Sequence, residues 1–117
     1  MSAYATPKLL PMGDAAWTLE LGAKVDAAVN ARCAAIADVL EQMLARGELD
    51  GVLDIVPTFR SVTVLFDPLQ ANALALGHTL LSVATVSADA RASSVQWRLP
   101  VCFDQAYAPD LSPTARM

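Results

Sequence analysis

An α+β domain, with four antiparallel strands covered on one face by two helices, is predicted by three observations. Two segments repeat apolar residues at three- and four-residue steps, the period of a half-buried helix. Four shorter segments instead alternate or run apolar over five to seven residues, as half-buried strands do. Their order along the 117 residues is strand, helix, strand, strand, helix, strand, two split βαβ halves that give the ferredoxin-like arrangement βαββαβ. The composition can supply the core this needs: 55% of the residues are hydrophobic and 17% charged, the reverse of a disordered chain.

The first strand is Trp17-Thr18-Leu19-Glu20-Leu21, with Trp17, Leu19 and Leu21 on one face and Gly22 as its breaker. Asp26 is placed to cap the helix that follows, whose buried stripe is Val29, Cys33, Ile36, Leu40, Met43 and Leu44. Arg46 complements the negative helix end and Gly47 ends it. The second strand, Val52 to Val56, is interrupted by Asp54 and closed by Pro57, which cannot donate to a ladder. Val62, Val64 and Phe66 form the inner face of the third strand. Asp67-Pro68 opens the second helix, striped by Ala73, Leu76, Leu80 and Val83 and widened by Leu74 and Leu81. Gly77 costs that helix about 1 kcal/mol relative to alanine or lets it approach the sheet closely. The fourth strand is Val95 to Val101, with Val95, Trp97, Leu99 and Val101 inward. Trp17 and Trp97 are thus core anchors, and Thr18, Glu20, Thr63, Gln96 and Arg98 share the open face.

Charge and hydropathy exclude several functions. Eight basic against twelve acidic residues give a net charge of −4, with no basic cluster to neutralise phosphates, so nucleic acid is not a partner. Pro68 to Ala88 carries no charge, yet Gln70, Asn72, His78, Thr79, Ser82, Thr85 and Ser87 interrupt it, and acids flank it. A membrane span is more apolar and anchored by basic or aromatic residues. Met1 to Trp17 lacks the basic start and apolar block of a signal peptide, which makes the cytoplasm the expected compartment and Cys33 and Cys102 reduced, small hydrophobes. No cysteine or histidine cluster has metal-ligand spacing, and no glycine-rich motif cradles a nucleotide.

Two residues are candidates for substrate binding or an interface, Arg60 and Asp67. A guanidinium binds a carboxylate or phosphate through two parallel hydrogen bonds, and the competing reading of Arg60 is a surface ion pair with Asp54 or Asp67. Asp67 is placed either as an acid or, more simply, as a cap. His78, the single histidine, has no partner in sequence that would make it a base, and Cys102 has no base beside it. No catalytic residue is assigned.

Three motifs in register resemble one family. Gly13-Asp14-Ala15-Ala16-Trp17-Thr18-Leu19-Glu20-Leu21-Gly22 resembles its opening Gly-Asp, hydrophobic strand and glycine. Val56-Pro57-Thr58-Phe59-Arg60-Ser61-Val62-Thr63-Val64-Leu65-Phe66-Asp67-Pro68 is similar to its proline, aromatic, Arg-Ser, strand, Asp-Pro pattern. Leu99-Pro100-Val101-Cys102-Phe103 with Ala108-Pro109-Asp110-Leu111 resembles its third signature, although Asp104, Gln105 and Ala108 stand where glycines are usual. The family is allophanate hydrolase subunit 1, also described as PxpB, a component of 5-oxoprolinase, or as KipI. The resemblance implies a ferredoxin-like N-terminal domain over 1–102 and a tail, 103–117, leading to a cyclophilin-like barrel domain outside this chain. It implies a hydrolase component that works with PxpC-like and PxpA-like subunits in the ATP-dependent cleavage of 5-oxoproline to glutamate. The domain itself is expected to bind no cofactor and to lack a complete active site; ATP belongs to the whole complex. The same signatures fit a urea amidolyase component acting on allophanate. They also fit a KipI-like inhibitor that binds a histidine kinase, and a homo-oligomer joined through the open sheet face is a further expectation.

Overall fold

A computed structural model describes residues 3–85 and 95–117. Strands β1 (Ala3–Pro11), β2 (Ala16–Gly22), β3 (Val52–Pro57) and β4 (Ser61–Phe66) form one sheet in the order β1-β2-β4-β3, every neighbouring pair antiparallel. Helices α1 (Ala27–Ala45) and α2 (Ala73–Thr85) cover it, α1 over β3 and β4 and α2 over β1 and β2. A short helix, α3 (Leu111–Ala115), lies near the C-terminus. The architecture is the expected ferredoxin-like α+β layer. Leu19, Leu21, Val62, Val64 and Phe66 from the strands meet Val29, Cys33, Ile36, Leu40, Leu76 and Leu80 from the helices in one buried cluster.

One strand is not where the sequence pattern put it. Residues 95–104 hold no strand, and the place beside β2 is filled by β1. β1 and β2 form a tight hairpin in which Lys8, Leu9, Leu10 and Pro11 lie opposite Glu20, Leu19, Thr18 and Trp17. Gly13, at φ +62°, takes the left-handed turn conformation that other residues resist, and the Met12 amide donates to the Ala16 carbonyl at 2.9 Å. A neighbour four residues away in the chain pairs at far lower loop-closure cost than one beyond a helix. It also runs antiparallel to β2, as a strand returning from α2 would. Trp97 is therefore not a core anchor: it is 79% exposed, and Val95, Leu99 and Val101 are between 65% and 78% exposed. Gln96 and Arg98 are likewise absent from the open face of the sheet.

The remaining elements follow local chemistry. The Asp26 carboxylate accepts the Ala28 and Val29 amides at 2.8 and 3.2 Å, capping α1. Gly47, at φ +72°, ends it in a Schellman motif: the Gly47 amide donates to the Leu44 carbonyl and the Glu48 amide to that of Met43. In α2, Leu76, Gly77, Leu80 and Ala84 are buried, Leu81 and Val83 are half-buried, and Leu74 is 73% exposed, so the stripe is narrower than the pattern predicted. A Cβ on Gly77 would stand 2.9 Å from the Leu9 side chain and 3.5 Å from the Trp17 ring, so this glycine does permit close approach to the sheet. Trp17 anchors the same contact, its indole N–H donating to the Ala73 carbonyl at 2.9 Å.

Candidate functional site

The open face of the sheet carries the polar side chains that alternation on β2 and β4 directs away from the helices. At its centre Thr18 and Thr63 are cross-strand partners with hydroxyl oxygens 2.9 Å apart. At one corner Glu20, Tyr4, Lys8 and Arg60 form a cluster. The Tyr4 hydroxyl donates to Glu20 Oε1 at 2.5 Å, Arg60 Nη1 lies 3.2 Å from the same oxygen, and the Lys8 ammonium sits 4.2 Å from the Tyr4 ring centroid. Arg60 Nη1 also donates to the Gly22 carbonyl at 3.0 Å, tying the β3–β4 turn to the end of β2. The Tyr4 hydrogen bond above all, helped by the charges of Arg60 and Lys8, holds the Glu20 carboxyl below its ordinary pKa against the opposing effect of partial burial.

The ion pair of Arg60 is thus with Glu20, and not with Asp54 or Asp67. Its side chain remains 42% exposed, against 19% for Glu20. The adjoining turn is built by Thr58 and Ser61, whose hydroxyl oxygens are 2.7 Å apart and whose backbones pair through the Thr58 amide and Ser61 carbonyl at 2.8 Å. Asp67 lies at the other end of β4, about 20 Å away along a six-residue strand. Its carboxylate accepts the Leu69 amide at 2.9 Å and its carbonyl accepts the Gln70 and Ala71 amides, so Asp67 caps the turn that leads into α2. The two candidates form separate structures, not one site.

Sequence reasoning put Glu20 on the open face but missed its partners Tyr4 and Lys8. The signal was there: once Ala3–Pro11 pairs with β2, Lys8 falls opposite Glu20. Two prolines in that stretch hid the strand.

Two shallow concavities flank the helices. One, of about 250 Å³, lies among Glu48, Asp50, Gln70, Asn72, Leu76 and Thr79. The other, of about 400 Å³, is bounded by Asn30, Ala34, Pro57, Thr58 and Phe59. The first presents the carboxylates of Glu48 and Asp50, and the second is lined by no charged side chain. Cys33 is buried, and that burial pushes its thiol pKa up, away from the thiolate form; Cys102 is exposed. Among the described residues no three His, Cys, Asp or Glu side chains gather as metal ligands, and no helix is long and apolar enough to cross a membrane.

What the geometry defines is an α+β layer whose polar side chains bond within separate clusters and pin turns and strand ends. The chain belongs to the family described as carboxyltransferase domain, subdomain C and D, whose model matches residues 7–117. This agrees with the resemblance of its three motifs to allophanate hydrolase subunit 1, PxpB and KipI. No curated protein matches the chain. A solved structure, that of the conserved uncharacterized protein PH0987 from Pyrococcus horikoshii, shares the fold at 23% identity and a TM-score of 0.57. The similarity covers 66% of this chain and 34% of that one, so the chain spans about a third of that protein's length.

Proposed function

We propose that this domain is the structural and assembly part of an ATP-dependent 5-oxoprolinase of the PxpB type, acting with PxpC-like and PxpA-like subunits that open 5-oxoproline to glutamate. The family match over 7–117 carries this reading. The arrangement of the polar residues supports it. Tyr4, Glu20 and Arg60 fasten β1, β2 and the β3–β4 turn, and Asp67 fastens the start of α2, roles that hold a surface in shape. The exposed part of the Arg60 guanidinium makes it the residue of the open face best suited to meet a partner's carboxylate. ATP and the reacting lactam belong to the partner subunits in this reading.

The test is reconstitution with the partner subunits and measurement of glutamate formed and ATP consumed from 5-oxoproline. Turnover that falls to background when the protein carrying this domain is omitted is the expected result. Turnover undiminished by its omission rejects the assignment. Activity on allophanate in place of 5-oxoproline moves the domain to the urea amidolyase branch, and inhibition of a histidine kinase without either activity moves it to the regulatory one.

A further inference from the structure

Arg60 is held from one side only. Two acceptors stand at its Nη1: the Gly22 carbonyl, to which it donates at 3.0 Å, and Glu20 Oε1, 3.2 Å away. Its own carbonyl accepts the Leu21 amide at 2.9 Å, so its main chain is fixed to β2 as well. Nε and Nη2 make no hydrogen bond or ion pair among the described residues. Those two atoms form the edge whose parallel N–H groups match the two oxygens of a carboxylate. In Arg46 the same edge is already filled, with the oxygens of Glu48 at 2.7 Å from Nε and 3.4 Å from Nη2. Arg60 instead presents it on a guanidinium whose plane is set in advance, which lowers the ordering cost of a bound anion.

The charge around it selects the anion. Arg60 and Lys8 face the single carboxylate of Glu20, which leaves this corner one positive charge in a chain of net −4. One carboxylate neutralises that excess, whereas a dianion is opposed by Glu20, which lies against the same guanidinium. Neither surface concavity described above is lined by Arg60, so neither walls in a small free acid at this edge. One fork without walls gives an affinity on the order of tens of millimolar. A carboxylate that stays bound is therefore carried by a protein that makes further contacts. We propose that the Nε–Nη2 edge of Arg60 receives an Asp or Glu side chain of a partner subunit, with Glu20 and the Gly22 carbonyl as the groups that aim it. The partner as source rests on the assembly reading above; the carboxylate site does not.

Heteronuclear magnetic resonance of the arginine Nε–H groups tests the site on this chain alone, with acetate as the probe. Expected is a saturable shift of the Arg60 signal, half complete at roughly tens of millimolar acetate, while that of Arg46 stays in place. Calorimetry of the protein carrying this domain with the PxpC-like subunit tests the source. Arg60→Lys keeps the charge but removes the fork, and weakens that complex at least about tenfold; Lys8→Gln leaves it within about threefold. Circular dichroism confirms that both variants keep the fold, and the acetate titration, made on the unaltered chain, decides the site even where a variant misfolds. An Arg60 signal that acetate does not move, or that sulfate moves at lower concentration, overturns the site. Equal partner affinity in the unaltered protein and Arg60→Lys overturns the partner as its source. Turnover of 5-oxoproline is read separately, so its absence rejects the enzyme assignment without touching either result.

Discussion

Gly51→Ala separates two effects that a glycine can hide. Gly51 adopts φ +74°, a left-handed conformation that costs an L-residue about 1–2 kcal/mol. A Cβ built there would also stand 2.6 Å from the Ala71 amide nitrogen, 2.9 Å from the Ala71 Cβ and 3.0 Å from its Cα. Two of these three atoms are backbone, so relief requires moving the turn that Asp67 caps, and overpacking of that kind costs about 1–3 kcal/mol. The gain from a stiffer unfolded chain returns about 0.4–1 kcal/mol. The net loss is about 2–3 kcal/mol, which for a domain of this size lowers Tm by roughly 10–20 °C. Gly47→Ala is the matched control, because Gly47 has the same sign of φ, +72°, and nothing within 4 Å of its Cβ position. It should lose only about 1 kcal/mol, the conformational part alone. Urea unfolding followed by far-ultraviolet circular dichroism gives both values. Equal losses in the two variants, or a neutral Gly51→Ala, would refute the steric argument and with it the close packing of β3 against the approach to α2.

Three further outcomes follow from the same structure. Leu80→Ala, at a position with no exposed surface beneath the sheet, should cost about 3–5 kcal/mol in chemical unfolding, whereas Leu74→Ala on the exposed side of the same helix should cost less than about 0.5 kcal/mol. Trp17→Phe removes the bond to the Ala73 carbonyl and leaves an acceptor short, for a loss of about 1–2 kcal/mol. Glu20 has its pKa lowered in the folded protein, so it binds a proton more readily when unfolded. Its stabilisation is therefore full at neutral pH and is lost as acidification passes through the ordinary glutamate range to the lowered value. Glu20→Gln should flatten that part of the stability–pH curve, and a wild-type acid limb preserved in the variant would show that the Tyr4–Glu20–Arg60 cluster does not carry it.

Both helices were legible because each carried its signal twice. Asp26 and Gly47 bracket α1 as cap and terminator, and the spacing Val29, Cys33, Ile36, Leu40 faces the sheet as the period requires. β2 and β4 were legible from alternation, down to the Thr18–Thr63 pair on the open face. β1 was not, since its prolines and its shift in register break the two-residue period on which strand recognition rests. Residues 95–101 show the opposite failure. Their alternation states that one side is suited to burial, and periodicity alone cannot say whether the covering surface lies in the same chain. At the candidate site, the position of Arg60 beside the end of β2 depends on pairing Glu20 with Ser61, a register that local sequence does not specify. The capping role of Asp67 depends only on its neighbours and was legible from Asp-Pro.

The sheet is completed by the N-terminal strand, β1, and not by residues 95–101. Cross-strand nuclear Overhauser effects at micromolar concentration test it directly. Backbone contacts from Leu9 to Leu19 and from Leu10 to Thr18 are expected. Backbone contacts from Trp97 or Leu99 to Leu19 in their place would contradict it.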